Sequence, residues 1–167
     1  MEQIVSIIRN YTSFAVCGHV NPDGDCIGSC VALCRALDQL GKRAVLLIEP
    51  GDVPAHLTEI WDGRFCGPAD GAEVFCVLDC ADTQRLSCGS ARLEQIPVTF
   101  CIDHHKTNAG FAQVNVIDAQ ASATGELIFA LIQALDLPMT KELALPLYGA
   151  ISADTGNFRY SNTTPRT

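Results

Sequence analysis

Four short stretches hold residues whose types and spacing could do chemistry. FAVCGH runs into His19, with Asp23 and Asp25 following in HVNPDGD; VFCVLD ends at Asp79; VTFCID delivers Asp103, His104 and His105; and LYGAISAD ends at Asp154, ahead of Thr155 and Gly156. In each, an apolar run stops at carboxylates or imidazoles, the donors that suit manganese and, in part, zinc or iron. Three of these runs read as buried strands, and the carboxyl ends of parallel strands are where side chains leave the core for a crevice. Carboxylates gathered there repel one another and raise each other's pKa, and divalent cations are the simplest remedy. Pro22 and Gly24 force a tight turn that aims Asp23 and Asp25 in different directions, so one can serve each of two metals. Two ions roughly 3.5 to 4 Å apart, bridged by a shared carboxylate and a water, would generate hydroxide and stabilise in-line attack on phosphorus.

Taken singly, each stretch has an ordinary explanation. Asp23-Gly24-Asp25 makes a turn with helix caps, Asp79 a strand-end acid, Asp154-Thr155-Gly156 a helix exit, and a histidine beside a core is commonly just satisfied by a neighbour. It is the combination of donor types, strand-end placement and chain order that supports a dinuclear site.

The elements that must position these residues follow from periodicity. Residues 2–10 read as an amphipathic helix, SFAVCGH as a strand, and DCIGSCVALCRALDQLGK as a helix stopped by Gly41. RAVLLIEP is a strand ended by Pro50 and Gly51, and 52–72 is loop with a short helix around His56–Trp61. VFCVLD, IPVTFCID and FAQVNVID are strands, the last alternating like an edge strand, and 89–96 is helical. ATGELIFALIQAL is a helix capped by Ser122 or Thr124, and KELALPLYGAISAD is another that Pro146 either kinks or begins. This alternation predicts an α/β fold, a three-layer sandwich with a mainly parallel sheet. NTTPRT has the Thr and Pro that open a helix, yet none follows, so the chain reads as a fragment of a longer protein.

With 167 residues, 48% of them hydrophobic, the chain is long enough for one domain with a sizeable core. Eleven Lys and Arg against nineteen Asp and Glu give a net charge of -8, which excludes a broad electrostatic grip on long nucleic acid but allows a small anionic substrate. No stretch reads as a leader peptide or membrane span, so the expected compartment is cytoplasmic and no membrane partner is expected. Nine cysteines are an odd count lying mostly in apolar runs. Cys26, Cys30 and Cys34 stack on one helix face; without CxxC pairs they read as small buried thiols packing a helix on a sheet rather than as a zinc or disulfide framework.

The ordered motifs resemble those of the DHH phosphoesterase family across nearly the whole chain. HVNPDGDCIGS is similar to the family's first motif, VLDCADTQRL to its second, CIDHHKTN to its third and SADTGNFRYSNTTPRT to its fourth. The DGD wording and the FRYSNTTPRT tail are most similar to the NrnA-type oligoribonuclease and pAp phosphatase branch, where the related pyrophosphatases usually carry DTD. The resemblance implies two Mn2+ ions, cleavage of short 5'-phosphorylated RNA to mononucleotides, and removal of the 3'-phosphate from 3'-phosphoadenosine 5'-phosphate (pAp). Other activities of the family are the alternatives: single-strand exonuclease, cyclic dinucleotide phosphodiesterase or pyrophosphatase, as is a fragment that binds nucleotide without cleaving it. Matched by position, it implies that His19 and Asp23 hold one metal, Asp25, His104 and Asp154 the other, and Asp79 bridges both. It leaves His105 free to bind the phosphoryl group or help protonate the leaving oxygen, Asp103 to orient an imidazole, and Asn108 to contact substrate or shape the loop. Residues 1–167 would then be the DHH domain, ending before a substrate-binding domain of the DHHA1 type, with a homodimer as a possible assembly.

Overall fold

The computed structural model describes all residues, 1–167. Five strands, β1 (Ser13–Cys17), β2 (Arg43–Leu46), β3 (Val74–Leu78), β4 (Val98–Asp103) and β5 (Val114–Ile117), form one sheet in the order β2-β1-β3-β4-β5. Every pairing is parallel, and β5 does lie at an edge. The alternation of side chains sorts each strand between two cores. Phe14, Val16, Cys76, Phe100 and Ile102 face the larger cluster; Ala15, Cys17, Phe75, Val77 and Cys101 face the smaller. Because β1 and β3 are buried on both faces, their sequences read as unbroken apolar runs rather than alternating ones.

The helices are α1 (Glu2–Asn10), α2 (Gly24–Gln39), α3 (Arg92–Gln95), α4 (Thr124–Ala134) and α5 (Lys141–Asp154). α2 and α4 cover one face of the sheet, α1 touches α4, and α5 packs on α2 and α4. The other face has a thinner cover, in which Ala69, Cys80, Leu86 and Ile96 come from the loops before and after β3 and from the end of α3. The helix expected over 89–96 is therefore only the four residues of α3, and that around His56–Trp61 is a 3-10 turn at Ala55–Leu57. β1 stops at Cys17 and β2 at Leu46, short of the strands read from the sequence, since Gly18 and His19 already leave the ladder. Residues 162–167 form turns, not the helix that NTTPRT announces.

Two local features seat α5, whose last residue is Asp154. A Cβ on Gly28 of α2 would lie 2.4 Å from the Pro146 carbonyl oxygen and 2.9 Å from the Ala150 Cβ, so glycine allows the two backbones to touch. Pro146 neither starts nor ends the helix, although it lacks the N–H that would bond to Glu142. The freed Glu142 carbonyl accepts a hydrogen bond from Arg35 Nη1 at 2.6 Å, so a side chain of α2 replaces the missing helix bond.

The strand order reverses direction between β1 and β3. Beyond the carboxyl ends of those two strands a crevice must open, and residues leaving either strand enter it.

Candidate metal centre

His19 leaves β1 and Asp79 leaves β3 on opposite sides of that crevice, both nearly fully buried. Asp79 adopts φ 54°, a left-handed conformation uncommon outside glycine and the kind of local strain that clusters at functional sites. Its two carboxylate oxygens look opposite ways. Oδ2 lies 3.6 Å from His19 Nε2, and Oδ1 lies 3.6 Å from His104 Nε2.

Around His19, Asp23 Oδ2 stands 3.8 Å from Nε2, while Asp23 Oδ1 caps α2 by accepting the Cys26 N–H at 3.0 Å. The other ring nitrogen, Nδ1, is 2.9 Å from the Val20 carbonyl oxygen; as a donor there it leaves the Nε2 lone pair facing the carboxylates. Around His104, Nε2 is 3.2 Å from Asp154 Oδ2 and 3.7 Å from Asp25 Oδ2, and Nδ1 is 3.4 Å from the Ala121 carbonyl oxygen. Asp25 is completely buried, yet its oxygens accept hydrogen bonds from Ser29 Oγ at 2.9 Å, Thr124 N at 2.6 Å and Gly125 N at 2.9 Å. A carboxylate at the start of α4 also meets the positive end of that helix.

His105 stands apart. Its Nδ1 donates to Asp103 Oδ1 at 2.7 Å, and its side chain is 39% exposed, so Nε2 is left for the open side of the site. Asp103 Oδ2 accepts from Asn108 Nδ2 at 2.7 Å, which also donates to the Cys80 carbonyl at 3.2 Å, and Asn108 Oδ1 accepts from Gly110 N at 2.8 Å. Asn108 is buried, and these contacts tie its loop to Asp103 and Cys80. A cleft of about 480 Å³ adjoins His104 and His105, with Lys106, Gln120, Asn162 and Thr164 on its walls.

The electrostatics are those of a charged cluster with too little positive charge. Burial, reinforced by Asp79 and Asp154, raises the Asp25 pKa well above the carboxylate range. At His104, hydrogen bonding to Asp154 and the charges of Asp25 and Asp79 outweigh burial and raise the pKa to about 9. The same competition raises His19, through Asp23 and Asp79, and His105 is raised first by its bond to Asp103. Burial works against the Asp103 carboxylate, but hydrogen bonds from His105 and Asn108 prevail and its pKa is lowered. No Lys or Arg pairs with Asp25, Asp79 or Asp154; imidazoles are their only charged partners. A donor set of carboxylates and histidine nitrogens in which no basic side chain pairs with the acids is chemically suited to divalent cations.

Of the nine residues expected at the site, His19, Asp23, Asp25, Asp79, Asp103, His104, His105 and Asp154 surround this one crevice, and Asn108 sits behind Asp103. Others were not foreseen. Thr124, read as a cap for α4, instead donates its hydroxyl to Asp79 Oδ1 at 2.9 Å. The N-cap position is Ala123, with no side-chain cap, and the free amides of Thr124 and Gly125 go to Asp25. Ser122, the other expected cap, likewise does not cap the helix; its N–H donates to Glu126 Oε2 at 2.6 Å. A signal was present in Gly125, where a Cβ would lie 2.7 Å from the Ala150 Cβ and 3.5 Å from Asp25 Oδ1. Cys26 was read as a packing residue, and it is fully buried, but its sulfur also joins ligand atoms of His19 and Asp79 within 4.8 Å of one another.

Similarity to known proteins agrees with this geometry. The model of the DHH family, N-terminal domain, matches residues 13–151. The bifunctional oligoribonuclease and PAP phosphatase NrnA of Thermus thermophilus is 37% identical over 150 residues, covering 88% of this chain and 44% of that protein. A probable manganese-dependent inorganic pyrophosphatase of Streptococcus mutans is 27% identical, covering 84% of this chain and 47% of its own length. The crystal structure of an exopolyphosphatase-related protein from Bacteroides fragilis superimposes with a TM-score of 0.87 at 28% identity, covering 99% of this chain and 52% of that one. The chain thus spans about half the length of the relatives it matches. A match over residues 13–151, together with the converging His19, Asp79, His104 and Asp154, shows that this chain belongs to the DHH family through its N-terminal domain.

Proposed function

We propose that this domain holds two divalent cations, most suitably Mn2+, and is the catalytic part of a cytoplasmic phosphoesterase that hydrolyses short 5'-phosphorylated RNA to mononucleotides and removes the 3'-phosphate of pAp. The observation that supports it best is Asp79, whose two oxygens each stand 3.6 Å from a different histidine, as a carboxylate shared by two metals requires. In this reading His19 and Asp23 would hold one ion and Asp25, His104 and Asp154 the other, with Asp79 placed to serve both. Bound there, the ions would neutralise the acids, activate water and polarise the phosphoryl oxygens.

The remaining chemistry belongs to the chain's own groups. Asp103 fixes the His105 ring through Nδ1, so His105 presents Nε2 to the phosphoryl group and supplies a proton to the leaving oxygen. Thr124 and the Val20 carbonyl hold Asp79 and His19 in orientation. The chain spans about half the length of its relatives, and in this reading a DHHA1-type domain would supply most of the grip on substrate. The NrnA relative, at 37% identity, favours RNA and pAp; the pyrophosphatase relatives, at 27%, keep inorganic pyrophosphate as the second substrate to assay.

The test is mononucleotide release from a 5'-phosphorylated RNA dinucleotide with Mn2+, by the full-length protein and its Asp79→Ala variant. Product should appear with the unmodified protein and be lost in the variant. Turnover retained by Asp79→Ala would refute the bridged site.

A further inference from the structure

The nine cysteines are all free thiols, and most lie sealed in the core. One pair differs. Cys17, at the end of β1, and Cys88, in the loop after β3, hold their sulfurs 3.2 Å apart although 71 residues separate them in sequence. Ser87 Oγ sits 3.2 Å from the Cys17 sulfur and donates to the Leu47 carbonyl at 2.7 Å, so the approach of the two thiols is braced. Cys17 is fully buried, but Cys88 is partly exposed on the wall of a cleft of about 630 Å³ that Leu47, Cys66 and Arg92 also line. None of the residues lining this cleft belongs to the metal centre.

We propose that Cys17 and Cys88 form an oxidisable dithiol, converted to a disulfide by a small hydroperoxide entering through this cleft. The Cys88 sulfur gives an electron pair to one peroxide oxygen; the O–O bond breaks, and the departing hydroxide leaves as water with the thiol proton. Cys17 then displaces the hydroxyl from the Cys88 sulfur, its own proton leaving with that hydroxyl as a second water. In sum, two thiols and one hydrogen peroxide give one disulfide and two waters. The sulfurs must close from 3.2 Å to about 2.05 Å.

The position gives the bond a consequence. The Cys88 loop runs antiparallel to the segment that leaves β1: Ser87 N donates to the Gly18 carbonyl at 3.0 Å and Val20 N to the Arg85 carbonyl at 2.7 Å, with His19 paired to Leu86 between them. A Cys17–Cys88 bond would clamp the loop on the segment that carries His19.

Hydrogen peroxide is added to the intact protein, free thiols are blocked, and the unreduced digest is read by mass spectrometry. The expected product is a Cys17–Cys88 linked peptide that a dithiol reductant reverses and that Cys88→Ser and Cys17→Ala each abolish. Hydrogen exchange of the Val20 and Ser87 amides should slow at least fivefold in the oxidised protein. Sulfinic acid at Cys88 without a cross-link, or a Cys66–Cys88 link instead, would overturn the pairing; unchanged exchange in a fully cross-linked sample would overturn the clamp. Because Cys88 is partly exposed and the unmodified protein is itself tested, neither result depends on a variant that fails to fold.

Discussion

At the residue scale, the two adjacent histidines differ in what lies behind each ring. His104 has a backbone carbonyl behind it and three carboxylates in front, the setting of a ligand. His105 has Asp103 behind it and open space in front, the setting of a proton donor. Replacing His105 with Ala should lower kcat about 100- to 10,000-fold while the number of Mn2+ ions bound stays the same. Steady-state kinetics beside a metal count separates this from loss of a ligand, which would lower both. The donor residues were legible in the sequence because metal chemistry limits which side chains can serve, and the DHH triplet marks a strand end. The partners of Asp25 were not, since Thr124 lies 99 residues away and no local pattern announces the contact.

At the element scale, the close approach of α2 and α5 brings Asp25 and Asp154 to one histidine. Gly28→Ala would put a methyl 2.4 Å from the Pro146 carbonyl oxygen. Urea denaturation should show a loss of about 1–3 kcal/mol, the usual cost of overpacking; an unchanged midpoint would mean the helices separate freely. At the amino ends of the central strands, Glu73 Oε2 accepts hydrogen bonds from Thr12 N, Thr12 Oγ1 and Ser13 N at 2.9, 2.7 and 3.0 Å, tying the start of β3 to the start of β1. Hydrogen bonds from Thr12, then Ser13, lower its pKa from 4.5 to about 2. A carboxylate with a depressed folded pKa stabilises the fold above its ordinary pKa and ceases to as pH falls through the folded value. Unmodified chain and Glu73→Gln should therefore differ in stability at pH 6 and converge near pH 2. The helices and strands were read correctly where apolar periodicity is strong, as in α2 and β3. The expectation for Pro146 was left open because its replacement bond comes from Arg35 on another helix, outside any local window.

At the scale of the whole molecule, a parallel sheet with a reversal between β1 and β3 makes a crevice, and the sequence fills it with acid although the chain carries a net charge of -8. The alternation of elements was enough to read the α/β class, but not the uneven layers, because the thin face is built from irregular loops that have no period. No helix is long and apolar enough to cross a membrane. The concentration of negative charge at the crevice is intelligible as a place for cations, and the most direct test is to count them. Equilibrium dialysis with Mn2+, followed by electron paramagnetic resonance, should give two ions per chain with the signature of a magnetically coupled pair, and Asp79→Ala should lose the coupling. One ion per chain, or two that are uncoupled and indifferent to Asp79→Ala, would contradict the shared centre.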